Sequence, residues 1–336
     1  MFVVVAVVIT AFIGYRLSRY VSMNSLFFRI AYTLYAKTQL GYYYHLHQLE
    51  KYKSTHDQPH SIVASWSYGG VKVLPIPIAS DNYSYLIIDS EENQAVVVDP
   101  SDPNAVKEII ASEQVQLKAI LTTHKHWDHS GGNSVLQTDF PGIPIYGSAI
   151  DDVPCLTHPV KPNDILKFGR LSFTAVFTPG HTIGHTVYIL SGEPFGAPDC
   201  LFSGDLLFLG GCGRIFEGEA SEMLESLNSV AVLKDSTLLW PGHEYAAKNL
   251  LFALTIEPDN PYVRNKLDWV IDRRANKNST CPSTIGEEKL YNPFLRTHVH
   301  DVMSAVGVDI LPDEQNANLR AVAVLVALRE RKDNFK

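Results

Sequence analysis

Short runs of β-branched and other apolar residues recur along this chain, and each is followed by a turn that carries histidine or aspartate. The runs and the polar residues after them are 117–122 with His124, 171–178 with His181, 199–203 with Asp205, and 236–240 with His243. Runs of this length and composition predict β-strands. In α/β folds the turns just past such strands tend to build the functional site. The pattern therefore predicts a layered α/β sandwich in which four strand ends meet at one edge.

Further elements follow from the same kind of pattern in the first half of the chain. Three more strands are predicted at 71–78, 83–89 and 95–99. A helix is predicted to begin at Pro103, because proline suits the first helical position and Asp102 before it suits the N-cap. These strands and this helix precede the run at 117–122, so the chain alternates between the two element types.

The strand pattern stops at about residue 250, and helix signals replace it. The signals are Asn260 before Pro261, a capping box of Thr284 with Glu287, and the helical spacing of Leu319, Val322, Ala323 and Val326. Asparagine and threonine accept hydrogen bonds from the free N–H groups of a first helical turn. The C-terminal part is therefore predicted to be helical.

Four parts are predicted along the 336 residues, which are more than one compact domain usually holds. Residues 1–50 form an N-terminal membrane anchor or leader, and the polar segment 51–70, with its proline and glycines, is a linker. Residues 71–250 form the α/β domain, and 251–336 form the C-terminal helical domain.

The N-terminus is apolar and basic. An apolar run extends from Phe2 to Ile13, and no acidic residue precedes Glu50. As a helix this run would span about 18 Å, short of a hydrocarbon core of about 30 Å. One interpretation is a membrane anchor whose basic flank, with the catalytic domain, is cytoplasmic. Another is an acid-poor mitochondrial leader, and a cleaved secretory signal is the least favoured. The stretch 26–35 predicts either an amphipathic helix at a membrane interface or a helix packed on the domain.

The segment 123–129, with the sequence THKHWDH, places three histidines and an aspartate within six residues. Imidazole nitrogen and carboxylate oxygen are ligands that Zn²⁺ prefers. Alternate residues of an extended segment face the same side, so His124 and His126 can share one ion. Asp128 and His129 follow the turn and can reach a second ion.

Two ions about 3.5–4 Å apart need more ligands than this motif supplies. The turns after the predicted strands offer three more, namely His181, Asp205 and His243. Asp205 has two carboxylate oxygens and can bridge both ions, which histidine cannot do. The sequence therefore predicts a two-metal centre with seven ligands. His185 is expected to support a ligand from behind.

Charge and cysteine content narrow the partners. The net charge of −8 argues against nucleic acid, which would require a basic face. The four cysteines show no CxxC spacing and no disulfide framework, which suits a reducing compartment. Cysteine is not expected to bind the metals.

Ordered motifs along most of the chain resemble the metallo-β-lactamase superfamily and, within it, glyoxalase II (hydroxyacylglutathione hydrolase). They include TTHKHWDHSGGN at 122–133, TPGHTIGH at 178–185, SGDLLF at 203–208, GCGRIFEG at 211–218 and PGHEY at 241–245. The resemblance runs from about Val71 to the C-terminus. It implies a four-layer αββα sandwich with a C-terminal helical domain that binds substrate.

The resemblance also implies a role for each ligand. His124, His126 and His181 would hold one metal, Asp128, His129 and His243 the other, and Asp205 would bridge them. A hydroxide between two divalent ions would attack a thioester carbonyl, with Asp128 and Asp205 as the catalytic carboxylates. Zn²⁺ is the expected metal, with Fe and Mn as alternatives.

The family's glutathione-binding positions match Arg214, Phe216, Tyr245, Arg329 and Lys332. Two of them depart from the family pattern, which has lysine where this chain has Arg214 and tyrosine where it has Phe216. Arg214 keeps the positive charge. Phe216 lacks a hydroxyl, which removes a hydrogen bond of about 1 kcal/mol. The expected partner is a glutathione thioester or a related small molecule at an altered substrate site.

Two other functions compete with thioester hydrolysis. A persulfide dioxygenase of the same superfamily would hold one iron with His124, His181 and Asp205 alone, but the C-terminal helical domain favours the hydrolase. A membrane-associated scaffold with weak or no activity is the third candidate, and the complete set of predicted ligands argues against it.

Overall fold

The computed structural model describes residues 26–308 and 317–335. Its strands are β1 (Trp66–Tyr68), β2 (Val71–Ile78), β3 (Asn82–Asp89), β4 (Gln94–Val98), β5 (Gln116–Leu121), β6 (Ile145–Ser148), β7 (His158–Val160), β8 (Ile165–Phe168), β9 (Leu171–Phe177), β10 (Thr186–Leu190), β11 (Cys200–Gly204), β12 (Leu207–Phe208), β13 (Gly211–Cys212), β14 (Leu238–Pro241) and β15 (Ser283–Thr284). Its helices are α1 (Leu26–Lys37), α2 (Gln39–Thr55), α3 (Pro103–Glu113), α4 (Trp127–Ser130), α5 (Asn133–Asp139), α6 (Ala220–Ala231), α7 (Ala246–Ile256), α8 (Pro261–Ala275), α9 (Ile285–Tyr291), α10 (His300–Val306) and α11 (Ala317–Asn334). Short 3₁₀ helices lie at Ala149–Asp151, Glu193–Phe195 and Pro293–Leu295.

Two mixed sheets form the body of the protein. The first runs in sequence order from β1 to β7, and the second has the order β15-β14-β11-β10-β9-β8. Strands β9 and β11 both pair antiparallel with β10, and β14 pairs parallel with β11. The carboxyl ends of β9, β11 and β14 therefore lie at one edge of the second sheet, which brings the turns with His181, Asp205 and His243 side by side.

Apolar side chains fill the space between the sheets. Val73 and Tyr85 of the first sheet pack with Phe173, Phe202 and Trp240 of the second, and all five are buried. Alternate residues of a strand point to opposite faces, so these sheets must bury their other faces as well. Each sheet therefore needs a helical cover on its outer side.

Helices supply both covers. Leu49 of α2 and Val106 of α3 pack on the outer face of the first sheet. Leu224 of α6, Leu250 of α7 and Leu325 of α11 belong to the cluster on the outer face of the second. The order of layers is helix, sheet, sheet, helix, which confirms the predicted αββα sandwich with a helical C-terminal region.

The segment 51–70 is not a linker throughout, contrary to the sequence-based expectation. Its first residues complete α2, which ends at Thr55, and Trp66–Tyr68 forms the edge strand β1. Polar composition was misleading here because an edge strand and an exposed helix end are both largely solvated. Trp66 nevertheless packs edge-on against Trp240, with ring centroids 6.1 Å apart, and so fastens this segment to the sandwich.

The C-terminal region contains the predicted caps. Asn260 accepts a hydrogen bond from the backbone N–H of Tyr262, and Thr284 with Glu287 forms a capping box. The short strand β15, which pairs with β14, was not predicted because two residues carry no periodicity. Helix α11 forms where expected, but Leu319 is 68% exposed, and the buried face carries Val324, Leu325 and Leu328 instead.

The predicted anchor or leader at Phe2 to Ile13 lies outside the described residues. Among residues 26–308 and 317–335 no helix is long and apolar enough to cross a membrane. The stretch 26–35 belongs to α1, and this helix packs on the α/β domain. Of the two interpretations of this stretch, the packed helix is the observed one.

Candidate metal centre

The turns after β5, β9, β11 and β14 bring all seven predicted ligands together. Three overlapping groups of these side chains have ligand atoms that lie within 4.8 Å of one another. The groups are His124 with His126 and His181, His124 with His129 and Asp205, and Asp128 with His129 and His243. Six of the seven residues are buried, and Asp128 is half-buried.

The first group converges through three imidazole nitrogens. His126 Nδ1 lies 3.0 Å from His124 Nε2 and 3.1 Å from His181 Nε2. Nitrogens bound tetrahedrally to one zinc at about 2.0–2.1 Å would stand about 3.3 Å apart. The three nitrogens therefore have the spacing of one metal's ligands.

Asp205 lies between this group and the second. Its Oδ2 is 3.3 Å from His181 Nε2, and its Oδ1 is 3.2 Å from His129 Nε2 and 3.4 Å from His243 Nε2. Asp128 Oδ2 lies 3.8 Å from His243 Nε2 on the far side. The two oxygens of Asp205 thus face different groups, as a bridging carboxylate requires.

Two of these atoms lack a well-formed hydrogen bond. Asp205 Oδ1 and His129 Nε2 are buried and lie 3.2 Å apart, but neither has a hydrogen-bond partner of good geometry among the described residues. Buried polar atoms are rarely left in this state, because an unmade hydrogen bond costs about 1–3 kcal/mol. Behind them, a Cβ on Gly242 would stand 2.7 Å from both Asp205 Oδ1 and His129 Cε1, so only glycine leaves the ligands room. The donor set fits two metal ions.

In four ligand imidazoles a protein oxygen lies close to the outer nitrogen, the ring nitrogen that faces away from the centre. In each of these four rings the outer nitrogen is Nδ1. The pairs are His124 with Thr123 Oγ1 at 3.0 Å, His129 with Asp99 Oδ2 at 2.9 Å, His181 with the Arg214 carbonyl at 2.9 Å, and His243 with Asp81 Oδ1 at 2.8 Å. An Nδ1–H that donates to such a partner leaves Nε2 as the metal-binding atom. The partners therefore select the tautomer that the centre requires.

Burial and charge divide the histidines by protonation state. Burial, together with the neighbouring histidines, holds the pKa of His124 and His126 well below the ordinary value, so both are neutral ligands. Burial also acts to lower the pKa of His129 and His243, but the carboxylates of Asp205, Asp99 and Asp81 outweigh it. The pKa of His243 rises to about 10. Cations entering the second group therefore displace protons.

His185 supports the ligand Asp205 through a hydrogen bond, as expected. Its Nε2 accepts a hydrogen bond from the backbone N–H of Asp205 at 3.2 Å, and its Nδ1 lies 2.9 Å from Thr178 Oγ1. Burial lowers its pKa to about 3, so the imidazole is neutral and can accept. It fixes the turn that carries the bridging carboxylate.

Three predicted substrate residues lie close to the metal ligands. The ring of Phe216 is 5.1 Å from that of His181, and the ring of Tyr245 stacks on His243 at 4.6 Å. Arg214 presents its carbonyl to His181, and its half-exposed guanidinium pairs with Asp333 at 3.3 Å.

The other two predicted substrate residues, Arg329 and Lys332, lie on α11. Arg329 is buried, and its guanidinium donates to the Cys212 carbonyl at 2.9 Å and to Asp333. Lys332 donates to the Lys248 carbonyl at 2.9 Å. Asp333 thus joins Arg329 to Arg214, and the fold already uses the guanidinium of Arg329.

Four residues of the site were missed from the sequence. Asp99 and Asp81 follow or precede strands and could have been noticed as further acids at strand ends. Tyr32 and Tyr35 gave no local signal. The Tyr32 hydroxyl lies 3.0 Å from His126 Nε2, and the Tyr35 hydroxyl donates to Asp128 Oδ1 at 2.9 Å, across more than ninety residues of chain.

Comparison with known proteins agrees with this architecture. The metallo-beta-lactamase superfamily model matches residues 79–243, and the model for the hydroxyacylglutathione hydrolase C-terminus matches residues 244–335. Among solved structures, ETHE1 from Myxococcus xanthus has a TM-score of 0.50 at 24% identity and covers 80% of this chain and 99% of that one. A metallo-beta-lactamase from Staphylococcus aureus has a TM-score of 0.51 at 22% identity and covers 79% of this chain and 71% of that one. At these identities the two structures show the shared fold.

Curated relatives are more similar in sequence. The hydroxyacylglutathione hydrolase of Thermosynechococcus vestitus is 45% identical over 68% of this chain and 89% of its own. The hydroxyacylglutathione hydrolase-like protein of Gallus gallus is 42% identical over 79% of this chain and 91% of its own. The cytoplasmic hydroxyacylglutathione hydrolase of Arabidopsis thaliana is 42% identical over 70% of this chain and 92% of its own. The chain therefore belongs to the hydroxyacylglutathione hydrolase (glyoxalase II) family of the metallo-β-lactamase superfamily.

Proposed function

We propose that the protein is a metal-dependent hydrolase that cleaves a glutathione thioester of the hydroxyacylglutathione type. The observation that carries the proposal is Asp205, whose two oxygens face two complete groups of ligands in a chain of this family. A one-metal dioxygenase would leave Asp128, His129 and His243 unused, whereas these three also form a ligand group. The hydrolase therefore accounts for more of the site than the dioxygenase does.

Two divalent cations, when bound, supply the Lewis acidity that activates a water and polarises the thioester carbonyl. His124, His126 and His181 would hold one, Asp128, His129 and His243 the other, and Asp205 both. We propose Zn²⁺, because imidazole and carboxylate without cysteine suit it, and Fe or Mn would suit the same donors.

The chain's own groups hold this centre rigid. Asp99 and Asp81 orient His129 and His243, and the Arg214 carbonyl orients His181. Since thiolate is a good leaving group, the reaction requires no strong general acid beside the centre. On the substrate side, Arg214, Tyr245 and Lys332 are the candidates for binding the glutathione moiety, while Phe216 offers it only an aromatic face.

The first experiment measures metals and hydrolysis on the full chain. Purified protein is loaded with Zn²⁺, the metal per chain is determined by mass spectrometry, and hydrolysis of lactoylglutathione is followed by thiol release. Two zinc ions per chain together with turnover are expected. One iron per chain with oxygen consumption on glutathione persulfide would favour the dioxygenase, and a folded protein with neither activity would favour the scaffold.

Lys332 predicts a pH-dependent KM. Burial, together with the charges of Arg329 and Lys248, lowers the pKa of this lysine to about 7. The lysine is charged below that pH and neutral above it, and an anionic substrate requires the charged form. The charged fraction falls about tenfold between pH 6 and pH 8. We therefore expect KM for a glutathione thioester to rise over this range.

Two substitutions isolate this effect. Lys332→Arg keeps its charge throughout the range, so its KM is expected to stay flat. Lys332→Met carries no charge, so its KM is expected to be high and equally flat. A wild-type KM that does not change between pH 6 and pH 8, together with the same KM in Lys332→Met, would remove Lys332 from the substrate site.

A further inference from the structure

Helices α1 and α2 form a hairpin that packs directly on the THKHWDH segment. The indole N–H of Trp127 donates to the Tyr35 carbonyl at 2.9 Å, and a Cβ on Gly41 would stand 2.7 Å from that indole nitrogen. His45 is buried and bonds to the Ser101 carbonyl at 2.9 Å. Contacts this close fix the hairpin against the segment that supplies four of the seven ligands.

The hairpin supplies a contact to the one ligand imidazole whose outer nitrogen has no partner from the α/β domain. Four of the five ligand imidazoles have their outer nitrogen held by a residue of the α/β domain. For His126 the binding atom is Nδ1, and its outer nitrogen, Nε2, meets the Tyr32 hydroxyl at 3.0 Å. A metal-binding imidazole needs a partner on its other nitrogen to fix its tautomer and ring angle. For His126, that partner comes from α1.

The Tyr32 hydroxyl also interacts with the carboxylate of Glu217, which accepts a hydrogen bond from Lys125 Nζ at 2.7 Å. A tyrosine hydroxyl is protonated at neutral pH and can both donate and accept a hydrogen bond. His126 Nε2–H can therefore donate to the Tyr32 oxygen while the Tyr32 proton is attracted to the Glu217 carboxylate.

One helical turn later, Tyr35 reaches the second group of ligands. Its hydroxyl donates to Asp128 Oδ1, while Asp128 Oδ2 is the oxygen near His243. Residues three apart lie on the same face of a helix. The spacing of Tyr32 and Tyr35 thus lets one face of α1 contact a ligand of each group.

Aromatic packing holds the same face in place. The ring of Tyr32 stacks on Phe216 with centroids 5.1 Å apart, and Phe28 stacks on Phe216 at 6.1 Å. Phe216 is the position where this chain departs from the family tyrosine. The Tyr32 ring covers one side of Phe216, so the residue that departs from the family pattern packs directly against α1.

The hairpin lies outside both family models. These match residues 79–243 and 244–335. The contacts of Tyr32 and Tyr35 thus come from a part of the chain that neither family model covers.

We infer that Tyr32 and Tyr35 are positioning residues of the metal centre, supplied by an N-terminal helix outside both family models. Tyr32 orients His126 so that Nδ1 binds metal, and Tyr35 fixes which oxygen of Asp128 does so. The inference rests on the two-metal centre of the proposed function, but it concerns metal retention and not the substrate.

The test compares zinc retention in Tyr32→Phe, Tyr35→Phe and Tyr43→Phe, each made in the full chain. Each substitution removes only a hydroxyl, and Tyr43 is the matched control because it lies on α2 and is 60% exposed. Zinc-loaded proteins are titrated with a chromophoric chelator, and circular dichroism checks the fold. Loss of an outer partner typically weakens metal affinity about 10–100-fold. We expect about a tenfold loss for Tyr32→Phe, a smaller loss for Tyr35→Phe because Asn82 also contacts Asp128, and no change for Tyr43→Phe.

Zinc retention in Tyr32→Phe within twofold of the Tyr43→Phe control would overturn the inference. A lower unfolding midpoint of the metal-free Tyr32→Phe protein in that case would make the role of α1 structural only. A wild-type protein that holds two zinc ions without thioester hydrolysis would refute the proposed function and leave this inference standing if the tyrosine variants lose zinc.

Discussion

Asp205→Asn is expected to lower kcat/KM for a glutathione thioester about a thousandfold and to reduce the zinc content below two ions per chain. The carboxylate has one oxygen 3.3 Å from His181 Nε2 and the other 3.2 Å from His129 Nε2, so it serves both groups of ligands. An asparagine of the same size keeps one oxygen but loses the charge and the second ligand atom. Metal-ion catalysis supplies several kcal/mol, and a loss of about 4 kcal/mol corresponds to about a thousandfold in rate.

The charge of Asp205 matters to the metal-free protein as well. Burial acts to raise the pKa of this carboxyl, but His243, His129 and His181 outweigh it and hold the pKa well below the ordinary value. The group is therefore ionised at neutral pH, ready to receive cations. Mass spectrometry measures the loss of zinc in Asp205→Asn, and thiol release measures the loss of kcat/KM, so the two effects of the substitution are determined separately.

Asp139→Asn is the matched control for Asp205→Asn. Asp139 forms an ion pair with Lys107 at 2.6 Å on the surface, where both side chains are about one-third exposed. Exposed pairs of this kind contribute about 0–1 kcal/mol, so neither metal content nor turnover should change. Two zinc ions and wild-type kcat/KM in Asp205→Asn would contradict the bridging role.

Asp99→Ala is expected to lower the free energy of unfolding of the metal-free protein by about 3–5 kcal/mol. The buried carboxylate accepts from the Thr123 N–H at 2.7 Å, the Thr123 hydroxyl at 2.7 Å and His129 Nδ1 at 2.9 Å. Removing it leaves three donors buried without a partner, one of them on a histidine whose raised pKa makes it charged. Asp99 also has a φ of 51°, a left-handed conformation that alanine adopts less readily than aspartate or asparagine.

Asp99→Asn separates the hydrogen bonds from the charge and the backbone. Asparagine tolerates the left-handed conformation, keeps the size and still accepts one hydrogen bond, so a smaller loss of about 1.5–3 kcal/mol is expected. Urea denaturation of chelator-treated protein, followed by tryptophan fluorescence, gives both values without any contribution from bound metal. Losses below about 0.5 kcal/mol in both variants would show that Asp99 does not stabilise the turn. Equal losses above that value would show that the charge, and not the backbone conformation or the one remaining acceptor, accounts for the stabilisation.

Much of the fold follows from local patterns. Strand β2 has the predicted bounds of 71–78, and the predicted run 171–178 differs from β9 by one residue. The capping box of Thr284 with Glu287 is present because both hydrogen bonds lie within four residues. Such signals can be read from sequence because the interacting groups are close along the chain.

Two predictions were wrong because the groups that interact are far apart along the chain. The spacing of Leu319, Val322, Ala323 and Val326 correctly predicts a helix but not its buried face, because that face depends on what α11 packs against. Polar composition made 51–70 resemble a linker, although Trp66 packs against Trp240, which lies far along the chain. In both cases the deciding contact lies outside any local window.

The candidate site divides in the same way. The seven side chains that can bind two metal ions could be identified from the sequence, because histidines and aspartates after strand ends are recognisable without their neighbours. Which atom of each ligand faces the centre depends on the fold, because Asp99, Asp81, Tyr32 and Tyr35 come from distant segments. The tautomer of an imidazole depends on what its other nitrogen meets, and for His126 that group lies ninety-four residues away, on a helix packed against the metal-binding turn.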